Sequence, residues 1–306
     1  MSFLYFLEGL RTPFWDTVMS AVTHLGEETV FMAVTIFIFW CVSKRDGYYL
    51  LIVGFLGTVF SQFLKLAFRI SRPWVLDPNF TIVESARAQA TGYSFPSGHT
   101  QSAVGTFGGI ARCTRKKWLR AVCIVLLLVV PFSRMYLGVH TPLDVGVAFA
   151  TAGVLVVVLY PLVKRSDDAP GIIVKSIFCM LLCSVAYLLY VLLVHFPADI
   201  DAENLASGVE NAYKLVGSTL GLLAGCWVDR RYIHFDTKAV WWAQSLKLAV
   251  GLVLLIGIKA GLKAPLNLLF AGSGWGHLVR YVIVVFFASA IWPMTFAWFG
   301  RLGKKK

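Results

Sequence analysis

The sequence predicts an all-α fold, a polytopic bundle of transmembrane helices, from its composition and from the distribution of its apolar residues. Of its 306 residues, 58% are hydrophobic and only 14% are charged, whereas a soluble domain carries about 25% charged residues. The apolar residues come in long blocks of roughly 20, the length that crosses a bilayer as a helix. We therefore expect an integral membrane protein.

The apolar blocks predict about nine spans. They cover approximately residues 29–43, 48–69, 98–112, 118–138, 142–163, 171–195, 207–228, 240–262 and 277–299. Residues 1–26 instead alternate apolar and polar side chains at helical spacing, which is typical of amphipathic helices in the membrane interface; a short spanning helix is the alternative. We expect no cleaved signal peptide, because a basic first segment is lacking and Glu8 and Asp16 interrupt the apolar stretch.

Basic residues in alternate loops predict the orientation, because cytoplasmic loops are enriched in Lys and Arg. These loops contain Lys44, Arg45, Arg112, Arg115, Lys116, Lys117, Arg120, Lys164, Arg165, Arg230, Arg231, Lys238, Arg301 and Lys304 to Lys306. The acidic 196–206 loop is expected outside, and nine spans with a cytoplasmic C-terminus put the N-terminus outside. The net charge of +12 is then explained by topology and anionic lipid headgroups, not by nucleic-acid binding. The six cysteines are predicted to be reduced packing residues, not metal ligands.

Two predicted outer loops, 70–97 and 132–141, break this charge rule. They hold or adjoin several cations and two histidines: Lys65, Arg69, Arg72, Arg87, Arg134, His99 and His140. An anion bound at the outer face would explain the excess of positive charge.

The first segment of interest is KLAFRISRP, residues 65–73. On a helix, Lys65, Arg69 and Arg72 share one face, and Pro73 ends that helix. Any one of these cations has a simpler interpretation as an interfacial side chain that extends to the headgroups. Three on one face favour a bound anion.

The second segment is Pro96-Ser97-Gly98-His99, directly before an apolar helix. Gly98 permits close approach of a ligand to the backbone, and the free N–H groups of the first helical turn can bind an anion. Helix capping alone would explain Ser97 and Gly98. It does not explain His99.

The third segment is SRMYLGVHTPLD, residues 133–144. Thr141 and Pro142 indicate a helix start, which makes Asp144 a candidate capping-box carboxylate. His140 precedes the cap, so Asp144 is expected to accept a hydrogen bond from one of its ring nitrogens and to leave the other nucleophilic.

Together the three segments read Lys-x6-Arg-Pro, Pro-Ser-Gly-His and Ser-Arg-x5-His-x3-Asp, in this order. This pattern, over roughly residues 48–165, resembles the type 2 phosphatidic acid phosphatase (PAP2) superfamily. The resemblance implies a catalytic helical core at 27–196, preceded by the interfacial helices of 1–26. Residues 197–306 would add three further spans of unknown role, which include the AGSGWGH stretch at 271–277; packing is the favoured interpretation of that stretch.

The resemblance also implies a reaction. His140 would attack phosphorus, Asp144 would support its imidazole, and His99 would protonate the leaving group. The phosphate would be bound by Lys65, Arg72, Ser97, Gly98 and Arg134. Arg69 and Arg87 match no motif position and are possible headgroup contacts. No acidic cluster is available to hold Mg²⁺, so we predict metal independence and no cofactor.

The predicted activity is thus hydrolysis of phosphate monoesters or pyrophosphates, those of lipids in particular, at the extracytoplasmic face of a bacterial plasma membrane. The expected partners are a phosphorylated lipid substrate and membrane lipids. A lipid phosphotransferase that uses the same phosphohistidine is the main alternative, and a transporter is a weaker one. The sequence does not identify the substrate.

Overall fold

The computed structural model describes residues 1–169 and 171–303, and within them all regular structure is helical. This confirms the all-α prediction. Three basic residues that contributed to the predicted orientation, Lys304, Lys305 and Lys306, lie outside the described residues.

The first of two compact units comprises Met1–Thr35, Tyr49–Pro161 and Asp201–Asn204. The helices that begin in it or contribute most of their length to it are α1 (Ser2–Gly9), α2 (Pro13–Thr23), α3 (Glu28–Phe37), α4 (Lys44–Phe68), α5 (Pro73–Leu76), α6 (Gly98–Ala103), α7 (Gly109–Cys113), α8 (Lys117–Tyr136) and α9 (Pro142–Lys164). A π-helical turn, Val104–Gly108, joins α6 to α7. All three motif segments lie in this unit.

The second unit comprises Ile36–Tyr48, Leu162–Ile200 and the described chain from Leu205 onwards. Its helices are α10 (Gly171–Leu193), α11 (Ala202–Val228), α12 (Trp241–Gly261), α13 (Lys263–Leu269), α14 (Gly274–Phe286) and α15 (Phe296–Phe299). It contains the C-terminal region to which the sequence assigned no role.

The predicted count of nine spans is not confirmed. Six helical segments in the described chain are long and apolar enough to cross a membrane: Lys44–Leu76, Lys117–Tyr136, Pro142–Lys164, Gly171–Leu193, Trp241–Leu269 and Gly274–Phe299. A seventh is added if Pro13–Gly26 and Glu28–Val42, which meet at 52°, form one bent span. The argument for an outer N-terminus needs an odd number of spans: with a cytoplasmic C-terminus, seven spans would preserve it and six would reverse it.

Two of the missing spans have clear physical reasons. The continuous helix over 98–113 has only 16 residues, about 24 Å at 1.5 Å per residue, which is shorter than the roughly 30 Å hydrocarbon core. Helix α11 has 27 residues, but it buries many small and polar side chains. Because α11 packs within its own unit, it needs less apolar surface than a helix that faces lipid.

The N-terminal helices pack against the motif-bearing unit. Leu4 of α1 is buried with Phe80 and Ile82. Between α1 and α2, the Arg11 guanidinium donates to the carbonyl of Tyr136 at 3.0 Å. The predicted interfacial position of residues 1–26 is therefore not confirmed, and these helices form part of the scaffold around the site.

Close packing explains the glycines of the AGSGWGH stretch. The chain turns at Gly272, where φ is +73°, a conformation that favours glycine. At Gly274 an added Cβ would overlap the ring of Tyr213. These contacts support the packing interpretation of this stretch.

Candidate active site

The start of α9 positions His140. The backbone N–H of Thr141 donates to Asp144 Oδ2 at 2.7 Å, and the N–H of Asp144 donates to Thr141 Oγ1 at 3.2 Å. This reciprocal pair is the predicted capping box. It holds the Asp144 carboxylate at the helix start, beside the residue that precedes the cap.

A serine lies between the histidine and this carboxylate. His140 Nδ1 is 3.6 Å from Asp144 Oδ2, too far for the predicted direct hydrogen bond. Ser94 Oγ instead lies 3.3 Å from Nδ1 and donates to Asp144 Oδ2 at 2.5 Å. Since the hydroxyl proton goes to the carboxylate, Ser94 is left to accept from an Nδ1–H. Nε2 then carries the lone pair.

Arg72 contacts that second ring nitrogen. Its Nη1 donates to His140 Nε2 at 2.9 Å and to the Val139 carbonyl at 3.0 Å. Its Nη2 and Nε donate to the carbonyls of Thr91 and Gly92. The buried guanidinium thus joins the 91–94 loop to the histidine.

Lys65 is attached to the same loop, because its Nζ donates to the carbonyl of Tyr93 at 2.7 Å. The first motif segment therefore supplies two cations, Lys65 and Arg72, to one side of His140. In this arrangement both cations donate to backbone carbonyls. An anionic ligand would replace some of these carbonyls as the acceptor, or add to them.

Arg134 and His99 have unfilled hydrogen-bonding capacity. The side chain of Arg134 is 0% exposed, and Nη1 donates to Thr23 Oγ1 at 2.7 Å. Its Nε and Nη2, and Nε2 of His99, are buried with no hydrogen-bond partner among the described residues. Unsatisfied buried groups of this kind are costly, so an acceptor placed between them would be strongly bound.

The turn after α2 packs against these two residues. Besides the contact from Thr23, a Cβ on Gly26 would lie only 2.9 Å from the carbonyl oxygen of His99, so this turn has room for glycine alone. Thr23 and Gly26 were not among the predicted site residues. Their partners lie far away along the chain, and no local pattern marks either residue.

Ser97 and Gly98 begin α6. Ser97 Oγ accepts from the N–H of Thr100 at 3.4 Å, and the Ser97 N–H donates to the Asp144 carbonyl at 3.1 Å. Ser97 therefore has the capping role that the sequence offered as the simpler interpretation. A Cβ on Gly98 would meet nothing within 4 Å, so open space lies next to its backbone.

The electrostatic surroundings of His140 show how closely the predicted residues converge. Its side chain is 2% exposed and lies between the spans that end at Tyr136 and begin at Pro142. Burial, and then the charges of Arg72, Arg134 and Lys65, lower the pKa of His140 well below 6.5. The imidazole is therefore neutral at neutral pH, as a nucleophile requires.

The two additional arginines are arranged differently. Arg69 follows the last residue of α4 and has a φ of +52°. Arg87 donates two 2.8 Å hydrogen bonds to the Glu84 carboxylate, and its guanidinium lies 5.7 Å from the Trp74 ring centre. Arg72 lies 6.0 Å from the same ring. Arg87 and the site residue Arg72 thus contact the same tryptophan ring.

No group of three or more His, Cys, Asp or Glu side chains that could hold a metal ion occurs in the described parts of the chain. The cations around His140 are the electrophilic groups that this site offers. Metal independence stays a prediction.

Comparison with known families matches most of the chain. The model described as the PAP2 superfamily matches residues 46–168, close to the 48–165 predicted from the motifs. The model described as a PAP2 superfamily phosphatase transmembrane extension matches residues 213–305. The C-terminal region is therefore an extension found with this superfamily.

Several curated proteins are similar to the chain. Phosphatidylglycerophosphatase B of Bacillus subtilis is 28% identical over 174 residues, which are 52% of this chain and 78% of that protein. Undecaprenyl-diphosphatase of Sulfolobus acidocaldarius is 29% identical over 42% of this chain and 61% of its own length. Sphingosine-1-phosphate phosphatase 1 of Rattus norvegicus is 24% identical over 66% of this chain and 46% of its own length.

No solved structure matches the chain. The two family models together cover its motif-bearing region and most of its C-terminal third, and the similar proteins named above are phosphatases. The chain belongs to the PAP2 superfamily, in its membrane-bound phosphatase branch.

Proposed function

We propose that this protein hydrolyses phosphate monoesters or pyrophosphates of lipids through a phosphohistidine at His140. The observation that carries the proposal is a set of buried hydrogen-bonding groups without partners near this histidine. The buried Arg134 has two nitrogens without acceptors, and His99 Nε2 has no partner. A phosphoryl group supplies oxygens that match these groups, and Arg binds such oxygens through a planar fork.

In the first step, Nε2 of His140 attacks phosphorus and the bond from phosphorus to the leaving oxygen breaks. Burial, and then the charges of Arg134 and Arg72, lower the pKa of His99 to about 3 in the free protein, so the bound anionic substrate must first raise that pKa by offsetting these charges. Protonated His99 then donates its proton to the leaving oxygen, so the product leaves as an alcohol or a phosphate. Attack places positive charge on the imidazole. The chain from Nδ1 through Ser94 to Asp144 stabilises that charge and holds the ring in position.

In the second step, water attacks the phosphohistidine and the P–N bond breaks. His99, now neutral, accepts the proton of that water, and His140 regains its lone pair as inorganic phosphate is released. The same histidine therefore serves as acid and then as base.

Lys65, Arg72 and Arg134 would stabilise the charge on the transferred phosphoryl group. The Arg72 bond to His140 Nε2 must be exchanged for bonds to phosphate oxygens before attack. Fixed donors aimed at developing charge provide a large part of the catalysis in phosphoryl transfer. They supply the stabilisation that a metal ion gives elsewhere, which is our reason for proposing metal independence.

Exposed apolar residues next to the motif segments support a lipid substrate. Phe68, Val75 and Leu76 flank Arg72, and Leu143 follows His140 by three positions; all four are well exposed. Such a rim allows the tails to stay in the bilayer while the phosphate reaches the site. The similar proteins also carry the names of enzymes that act on phosphorylated lipids.

The directions of the helices support an extracytoplasmic site. The helix over 98–113 runs from His99 to the basic residues around Arg112, and α8 runs from Lys117 back to Arg134. The site and this basic loop are therefore at opposite ends of the same helices. Since basic loops favour the cytoplasm, we place the site outside, in a bacterial plasma membrane. The cytoplasmic C-terminus stays a prediction.

Phosphate release by the purified protein tests this function. We would supply undecaprenyl pyrophosphate, phosphatidylglycerophosphate, phosphatidic acid and a soluble phosphate ester, each in EDTA. Turnover of at least one lipid without metal supports the proposal. No release from any lipid by folded protein would refute it, and phosphoryl transfer to an added lipid alcohol in place of water would indicate the phosphotransferase instead.

The same panel tests Arg69 and Arg87 as headgroup contacts. Replacement of either arginine by Gln should weaken the binding of lipid substrates with larger headgroups more than the binding of the soluble ester. An equal effect on both substrates would contradict the assignment.

A further inference from the structure

A second group of charged residues lies in the C-terminal unit, between α11 and α14. Glu210 Oε1 is 2.7 Å from Lys214 Nζ and 3.2 Å from His277 Nδ1. Arg280 Nη2 is 3.1 Å from that same ring nitrogen. The group contains two permanent cations and one carboxylate, so its formal charge is positive when His277 is neutral.

Arg280 has too few acceptors in this group. One ring nitrogen of His277 cannot both donate to Glu210 and accept from Arg280. Donation to the carboxylate is the stronger bond, because one partner is ionised. When that bond forms, Arg280 loses His277 Nδ1, the side-chain acceptor that it contacts.

Burial makes this shortage costly. The Arg280 residue is 7% exposed and its Nε is buried without a partner. It lies in the helical segment Gly274–Phe299, which is apolar enough to span a membrane. The Glu210 carboxylate is the acidic group that interacts with Arg280, and it is shared with Lys214 and His277. A buried arginine with so little compensating charge is unfavourable in such surroundings, whereas a bound anion would compensate it.

The surroundings are suited to a ligand that approaches from the bilayer. Glu210, Lys214 and His277 keep side-chain exposures of 42%, 27% and 23%, so they form an open edge in front of Arg280. Arg280 is six residues into α14, about 9 Å from its start. This position near one end of a candidate span is within reach of lipid headgroups. Lys259, 5.9 Å from the Tyr281 ring that Arg280 also contacts, adds positive charge.

We propose that Arg280, Lys214 and His277 form a binding site for a phosphate group, separate from the residues around His140. The planar guanidinium would bind two phosphate oxygens, and Lys214 would exchange part of its contact with Glu210 for a third. The phosphate of an anionic lipid and free inorganic phosphate share this chemistry. The site gives the C-terminal extension a binding role, and it does not depend on the proposed hydrolysis.

Ligand binding by the purified full chain tests the site. Phosphatidylglycerol is a suitable probe, because it carries one phosphodiester anion and no terminal phosphate to be hydrolysed. We would count bound lipids by native mass spectrometry and measure the rise in melting temperature with phosphatidylglycerol, with inorganic phosphate and with diacylglycerol. Arg280→Gln should weaken phosphatidylglycerol binding at least tenfold. Lys175→Gln, at an exposed lysine of α10, is the matched control and should bind as wild type does.

The arms of the experiment distinguish the two sources of phosphate. Stabilisation by phosphatidylglycerol alone identifies a lipid site, and equal stabilisation by inorganic phosphate identifies a free-phosphate site. If Arg280→Gln fails to fold, Lys214→Gln at the open edge provides the test, with a smaller expected loss of three- to tenfold. Equal binding of both probes by wild type and by the folded variants would overturn the proposal.

Discussion

Thr23 holds the most deeply buried cation of the candidate site, and its removal gives a quantitative prediction. Within the described parts of the chain, its hydroxyl accepts the one hydrogen bond that the Arg134 side chain donates, at 2.7 Å, and the Thr23 residue is 2% exposed. Thr23→Val preserves shape and removes the acceptor. A hydrogen bond to a charged group contributes about 1.5–3 kcal/mol. Since about 1.4 kcal/mol corresponds to tenfold in rate, we expect kcat/KM to fall roughly 10- to 100-fold.

Phosphate release in detergent measures the effect. Arg134 is expected to contact the transferred phosphoryl group and not the leaving group, so alkyl and aryl phosphates should lose activity equally. Thr23→Ser should restore most of the activity because it restores the hydroxyl. Thr17→Val is the matched control on the same helix, since the exposed Thr17 hydroxyl donates only to the Pro13 carbonyl. A folded Thr23→Val protein with kcat/KM within twofold of wild type would refute this reasoning.

Four further outcomes are expected. Ser94→Ala should lower kcat about tenfold, because the His140 imidazole loses its link to the carboxylate; an unchanged kcat would argue against the bridge. The acid limb of kcat/KM should lie below pH 6.5, since the depressed pKa of His140 keeps its ring neutral as the pH falls; a limb above pH 6.5 would contradict this. His99→Ala should retain a share of wild-type activity at least about tenfold larger on an aryl phosphate with an acidic phenol than on an alkyl phosphate, because the acidic phenol leaves without a proton. Equal losses on both substrates, with no burst of phenol, would reassign His99 to phosphate binding. Cysteines introduced at 74–92 should react with an impermeant thiol reagent in intact cells, and those at 113–117 should not; the reverse pattern would invert the topology.

Local patterns in the sequence predicted a substantial part of the site. The capping box at Thr141 and Asp144 forms as expected because both partners lie within one helical turn. Lys65, Arg72 and Arg134 lie close enough to His140 for their charges to lower its pKa, as the three motif segments suggested. Residues within one segment, or in segments with a recognisable pattern, can be placed before the structure is known.

Contacts between distant segments could not be predicted in this way. Thr23 is 111 positions from Arg134, and Ser94 is 50 positions from Asp144. Each is one ordinary hydroxyl among many, and only the packing of the chain gives it a partner. Asp144 and His140 are neighbours as expected, at 3.6 Å, but the expected direct hydrogen bond to Asp144 is replaced by one through Ser94, which comes from another segment.

The span count shows a different limit. Hydropathy treats each apolar block as a crossing, but the 98–113 helix is too short and α11 buries much of its surface inside its own unit. Membrane crossing depends on length and on which faces meet lipid. Neither property follows from the number of apolar blocks.

Trapping of the phosphorylated enzyme tests the central claim most directly. The protein would be mixed with a lipid substrate labelled in its terminal phosphate and quenched in alkali, in which phosphohistidine is stable. We predict label, at up to one phosphoryl group per chain, on the peptide that contains His140, lost on acid treatment and absent from His140→Ala. Turnover by wild type without any trapped label, or label that persists in folded His140→Ala, would contradict the account.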